Sequence, residues 1–114
     1  MDTLIILSLL LNIAVLVPVC TGIIADAAWA QAGYGSVTPA RSILLSIYLT
    51  IGVLSVALLV VRDSEFVAAL LLVQVIYKVT TPVTVGTLKN PVVISNLLIA
   101  AVHGVTLASI WRSI

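Results

Sequence analysis

Charge is what this sequence has least of. Only 8% of its 114 residues are Asp, Glu, Lys or Arg, where an average soluble domain carries about 25%. A chain so poor in charge cannot clothe a surface in water, so an ordinary soluble domain is excluded. Net charge is +1 with no cluster of basic residues, which leaves nothing to hold nucleic acid or to recognise anionic lipid. Cys20 is the one cysteine; it rules out an internal disulfide and a multi-cysteine metal centre, and within an apolar run it reads as a small core residue. The sequence contains no His-Glu-x-x-His, no Gly-x-Ser-x-Gly, no glycine-rich phosphate loop and no Cys-x-x-Cys, a set of absences that leans against an enzyme. A proton-coupled multidrug exporter of this size would carry a glutamate inside its first helix. Here the first acidic residue past Asp2 is Asp26.

What the chain has in abundance is apolar sequence, at 62% of residues and a mean hydropathy of +1.34. Charge-free stretches run over Thr3–Ala25, Ser42–Val61 and Asn90–Trp111, and a fourth, Phe66–Gly86, is interrupted once, by Lys78. Each has about the twenty residues that a spanning helix needs. Two or three spans would leave an apolar run in water. The sequence therefore predicts an all-α membrane protein, a single four-helix transmembrane domain with helices over about 3–25, 42–61, 66–86 and 91–111. Ala28-Trp29-Ala30 and Ala30-Gln31-Ala32 look like signal-peptidase sites, but the preceding run is longer than a typical signal and no Lys or Arg precedes it. It is expected to be the first span.

Punctuation along the chain agrees. Pro18 and Gly22 predict a kink or fraying late in the first helix. Residues 26–41 form the one sizeable connection, with turn chemistry at Gly33-Tyr34-Gly35-Ser36 and interfacial aromatics at Trp29 and Tyr34. Thr38-Pro39 and Asn90-Pro91 each read as a cap residue followed by proline at the first helical position, and Asp63 or Ser64 can cap the third helix. Pro18-Val19-Cys20-Thr21-Gly22 matches Pro82-Val83-Thr84-Val85-Gly86. Pro39 and Gly52 match Pro91 and Gly104 at one constant offset. Two tandem hairpins give that pattern, and so do chance matches in an alphabet this restricted. Arg62 and Arg112 fall on one side, Arg41 and Lys89 on the other with Lys78 leaning toward them, so the positive-inside rule assigns no orientation.

Any chemistry must come from polar groups inside the spans: Asn12, Gln74, Lys78, Asn96 and His103, with Tyr48 and Tyr77 as weaker members. Counted at about 1.5 Å per residue, Asn12, Gln74 and His103 share a level near the midplane. Lys78, Tyr48 and Asn96 form a second level several residues deeper. Hydrogen-bonded glue between helices is the plain reading of Asn12, Gln74 and Asn96, at about 0.6 kcal/mol on average. Lys78 resists it, because a central lysine costs about 2.5–3.5 kcal/mol. Its ammonium is expected to snorkel where the helix unwinds at Thr80-Thr81-Pro82, to meet Asp26 or a partner's carboxylate, or to line a hydrated path for an anion or proton. His103 reads as a packing residue, a proton relay, or an axial ligand to a tetrapyrrole of haem or chlorophyll type. Ala100-Ala101-Val102-His103, followed by Trp111-Arg112, is similar to part of the light-harvesting polypeptides; the similarity covers one helix of proteins that span the membrane once, and membership does not follow. Ala100, Gly104 and Ala108 form a small-residue ridge expected to pack against another helix, within the chain rather than with a partner.

The leading expectation is a structural or accessory subunit of a larger membrane assembly, in contact with the lipid bilayer and other membrane-protein subunits. The rivals are a homo-oligomeric channel or transporter for a small ion using Asn12, Gln74, Lys78, Asn96 and His103, and a pigment- or haem-binding subunit using His103.

Overall fold

The computed structural model describes residues 2–113. Five helices follow one another: α1 (Asp2–Ile24), α2 (Ala28–Tyr34), α3 (Pro39–Val60), α4 (Ser64–Val85) and α5 (Pro91–Ser113). Four of them, α1, α3, α4 and α5, are long and apolar enough to cross a membrane. At 1.5 Å per residue, helices of this length reach about 33–35 Å, slightly more than a hydrocarbon core.

The helix starts are set by side chains that satisfy backbone N–H groups with no partner in the first turn. Thr38 Oγ1 accepts from the Arg41 backbone N–H at 3.2 Å, so α3 begins at Pro39, three residues earlier than its charge-free stretch. Asp63 Oδ1 accepts from Glu65 and Phe66 N–H at 3.0 and 3.3 Å and starts α4. Asn90 Oδ1 takes the Val92 N–H at 2.8 Å ahead of α5. The end of α1 is a Schellman turn: Ala27 N–H bonds Gly22 O at 3.0 Å, Asp26 N–H bonds Ile23 O at 3.2 Å, and Asp26 is left-handed at φ 52°. α4 ends on left-handed Gly86, φ 86°.

Three sequence expectations need correction. Residues 26–41 are not simply a loop, because 28–34 are helical. The glycines near its end terminate that helix: Gly35 N–H bonds Gln31 O at 2.8 Å with Gly35 at φ 87°. α1 does not fray after Pro18 but stays helical to Ile24. Nor does α4 unwind at Thr80-Thr81-Pro82. Pro82 has no N–H for the Lys78 carbonyl, and the Thr81 hydroxyl donates to that carbonyl instead, at 2.7 Å.

α1 packs along α3, α4 packs along α5, and α1 meets α5 to join the two pairs; α3 and α4, although consecutive, scarcely touch. Thr106 of α5 bonds Ser8 and the Leu4 carbonyl of α1, so the two ends of the chain lie at the same end of the molecule. The opposite end is covered by α2, which rests on α1 and α5. The core includes Ile5, Leu9, Leu16, Val67, Leu71 and Ile110, while many large apolar side chains on every long helix face outward.

The ridge Ala100–Gly104–Ala108 does not pack inside the chain as expected. Ala100 is buried, but Ala108 is exposed and a Cβ on Gly104 would meet nothing within 4 Å. α5 instead turns His103 and Thr106 toward α1, because these polar groups need partners more than small residues need a close neighbour. Close approach occurs elsewhere, where Gly22 lies against the Trp29 ring and Gly33 against Val92.

Candidate functional site

The polar residues separate into a closed network and an open one. The closed network joins α1, α3 and α5. His103 Nε2 lies 2.8 Å from Asn12 Oδ1, Asn12 Nδ2 donates to Ser55 Oγ at 3.1 Å, and Ser55 donates to Ile51 O at 2.7 Å. Asn12 Oδ1 can only accept, so the network assigns the hydrogen to Nε2 of His103. Nδ1 is buried without a partner. One turn toward the chain ends, Ser8 and Thr106 hydroxyls lie 2.7 Å apart. These groups satisfy one another between helices, as glue does.

His103 is 0% exposed and its Nε2 is engaged. An axial ligand must offer a free nitrogen to the open face of a macrocycle; Nδ1 is unpaired but enclosed by the surrounding helices, with no open face before it. The tetrapyrrole expectation does not fit the residue's surroundings. Gln74 is equally buried, yet its amide reaches only the Leu70 carbonyl of its own helix, at 3.5 Å. The expected level of Asn12, Gln74 and His103 therefore holds two bonded residues and one bystander.

The open network lies toward α2. Lys78, 5% exposed, donates from Nζ to Asn96 Oδ1 at 3.2 Å, and its ammonium stands 4.9 Å from the centre of the Tyr77 ring. Neither the snorkelling nor the Asp26 expectation describes it. Asp26 is engaged by Arg41, whose guanidinium donates to Asp26 Oδ1 at 2.9 Å, to Gly35 O at 2.9 Å and to Ile23 O at 3.3 Å. That hydrogen bond holds the Asp26 carboxyl below the usual carboxylate range. Among the described residues this is the one ion pair. Lys78 faces no carboxylate among the described residues.

Two cavities border the Lys78–Asn96 pair. One, of about 220 Å³, has Lys78, Asn96, Trp29, Tyr34 and Tyr48 among its walls. The other, of about 230 Å³, is walled by Asn96, Tyr34, Tyr48 and Tyr77 among others. Tyr34 and Tyr48 meet edge to face at 5.8 Å and belong to both. The Tyr77 hydroxyl is buried without a partner.

α2 closes this end. Trp29 sits over Gly22, Gly33 O accepts from Asn90 Nδ2 at 3.0 Å, and one guanidinium, that of Arg41, grips the residues on both flanks of the helix. Sequence reasoning missed Arg41, which looked like a boundary charge, and missed Gly22, which looked like a helix breaker. The one available signal for Arg41 was that it and Asp26, at the two ends of residues 26–41, are the only charged residues of that segment. The depth count did bring Lys78, Tyr48 and Asn96 to one place. No family model, no curated protein and no solved structure matches the chain.

Proposed function

We propose that the protein is a multi-pass membrane protein, a four-helix bundle that binds a small anion at an intramembrane site centred on Lys78 and admits it across the bilayer as a small carrier or channel. The observation that carries this reading is a buried ammonium beside a cavity with no carboxylate to match it. Holding a lysine within a bilayer costs about 2.5–3.5 kcal/mol. A lysine kept for structure alone would be offset by an acidic partner, as Arg41 is by Asp26. At Lys78 the matching negative charge is left for a ligand to bring. Further copies of the chain would complete the passage, since one bundle of this size encloses little volume.

Reconstituted liposomes test the proposal. Lys78→Met keeps the length and apolar bulk of the side chain while removing its charge. Efflux of small anions is expected to fall at least tenfold in this variant, with elution of the detergent-solubilised protein unchanged. Equal efflux from both proteins would refute the proposal.

A second reading, a structural or accessory subunit, is favoured by a different feature. Where α3 and α4 scarcely touch, a groove of about 660 Å³ runs between Ile47, Leu54, Phe66, Val73 and their neighbours. Lipid tails or a helix of another subunit would fill it. Native mass measured after mild extraction separates the readings, because distinct partner chains support the subunit and copies of this chain support the carrier.

A further inference from the structure

We infer that the anion taken at Lys78 is a small organic monocarboxylate, a single carboxylate on a short apolar or aromatic body. This inference rests on the proposed reading of Lys78 as an anion site and specifies its substrate class.

The polar lining is rich in donors: the Lys78 ammonium, the Asn96 amide, and the hydroxyls of Tyr34, Tyr48 and Ser95, each able to turn its hydrogen toward a ligand. Lys78 uses one of its three N–H groups on Asn96 Oδ1. The Asn96 N–H₂ group can donate to a ligand as well. A ligand that fits must supply acceptor oxygens. Among the described residues, Lys78 is also the only charged one in the walls of the two cavities. One positive charge balances one negative charge. A phosphate or sulfate dianion would bring a second charge into a place that has nothing to pair with it, where an uncompensated charge is strongly disfavoured.

The remaining walls choose between organic and inorganic monoanions. Val15, Leu16, Val19, Trp29 and Val92 contribute apolar surface, which cannot replace the hydration shell of a small inorganic ion but does favour a hydrocarbon body. Size sets the limit. Cavities of about 150 Å³ accommodate benzene, and pockets for drug-sized ligands begin near 300 Å³. The cavity beside Lys78, of about 220 Å³, lies between these values, so one ring or a short chain with its carboxylate fits.

Trp29 forms part of that cavity wall, which provides a reporter. Trp111→Phe removes the other tryptophan, whose side chain is exposed at the far end of α5. In this background the full chain, in detergent, is titrated with benzoate, with its neutral isostere benzamide, with nitrate and with inorganic phosphate, following Trp29 emission. A saturable change with benzoate is expected, with benzamide at least tenfold weaker and phosphate silent. Adding Lys78→Met should reduce benzoate to the benzamide level, whereas Lys78→Arg, which keeps the charge, should retain binding within a few-fold. Equal binding of benzoate and benzamide, or benzoate binding indifferent to Lys78→Met, overturns the inference. If nitrate binds through Lys78 and benzoate does not, the substrate class is wrong and the anion site stands. If neither anion responds to Lys78→Met, the anion site falls with it. Benzoate binding through Lys78 without any liposome flux upholds the inference and removes transport.

Discussion

Removing Asn12 should unfasten three helices at once, and the size of the effect can be worked from the geometry. Asn12→Ala deletes the bonds to His103 at 2.8 Å and to Ser55 at 3.1 Å. Each such bond between membrane helices contributes about 0.6 kcal/mol, with a ceiling near 1.7. The change also strands the imidazole: Nδ1 already lacks a partner, and losing Asn12 leaves Nε2 without one, where an unsatisfied buried group costs about 1–3 kcal/mol. These effects overlap, which places the expected loss at about 2–4 kcal/mol. The informative quantity is the coupling. His103→Ala and Asn12→Ala share one bond, so their double-mutant cycle should give about 1–2 kcal/mol. Ser55→Ala and His103→Ala share no direct bond and meet only through Asn12, so their coupling should be the smaller of the two. Unfolding of the purified protein by SDS in mixed micelles, followed by circular dichroism, supplies all the variants. Additive losses for Asn12 and His103 would show that the closed network does not hold α1 to α5.

Three further outcomes follow from the α2 end of the molecule. Gly22→Ala would put a Cβ about 2.0 Å from the Trp29 ring, so the indole must leave its seat; in the Trp111→Phe background, Trp29 emission should shift to the red, and an unchanged spectrum would show that the ring is not seated there. Asp26→Asn should loosen both flanks of α2, seen as faster hydrogen exchange over residues 26–36 at neutral pH, and equal exchange rates would contradict the Arg41 clamp. Because Arg41 holds the Asp26 carboxyl below its ordinary value, the stabilisation from this pair is present above the unfolded carboxyl's pKa of about 4 and is lost only as pH falls through the lower folded value; the exchange difference between the native chain and Asp26→Asn should therefore persist at pH 6 and vanish only in strong acid.

The four long apolar helices were legible because charge placement marks them. Thr38, Asp63 and Asn90 were legible as caps because each is a hydrogen-bonding residue set immediately before a helical run. α2 was hidden by conflicting local signals, the helix-favouring Ala28-Trp29-Ala30-Gln31-Ala32 preceding Gly33 and Gly35, which read as turn. Counting depth along four helices brought Lys78 to Asn96 and Asn12 to His103, since antiparallel neighbours share levels. It could not give rotation about each axis. That is why Gln74, at the right depth, bonds only within its own helix, and why Gly104 and Ala108 of the small-residue ridge turned from the core in favour of His103 and Thr106. The fate of Lys78 depended on one further detail outside the reach of spacing. Thr81 satisfies the carbonyl that Pro82 leaves free, so α4 stays wound and the ammonium is held inside.

The claim that Lys78 stands in a cavity open to solutes is tested most directly by the chemical accessibility of its position. Cys20→Ala removes the one native thiol, and Lys78→Cys then places a single thiol at the site. Treated in sealed proteoliposomes with a charged methanethiosulfonate reagent that does not cross the bilayer, this thiol should be modified from the side that carries α2. A thiol unreactive from both sides, yet readily modified once the protein is unfolded in SDS, would mean that Lys78 is sealed within the helices and that the anion site does not exist.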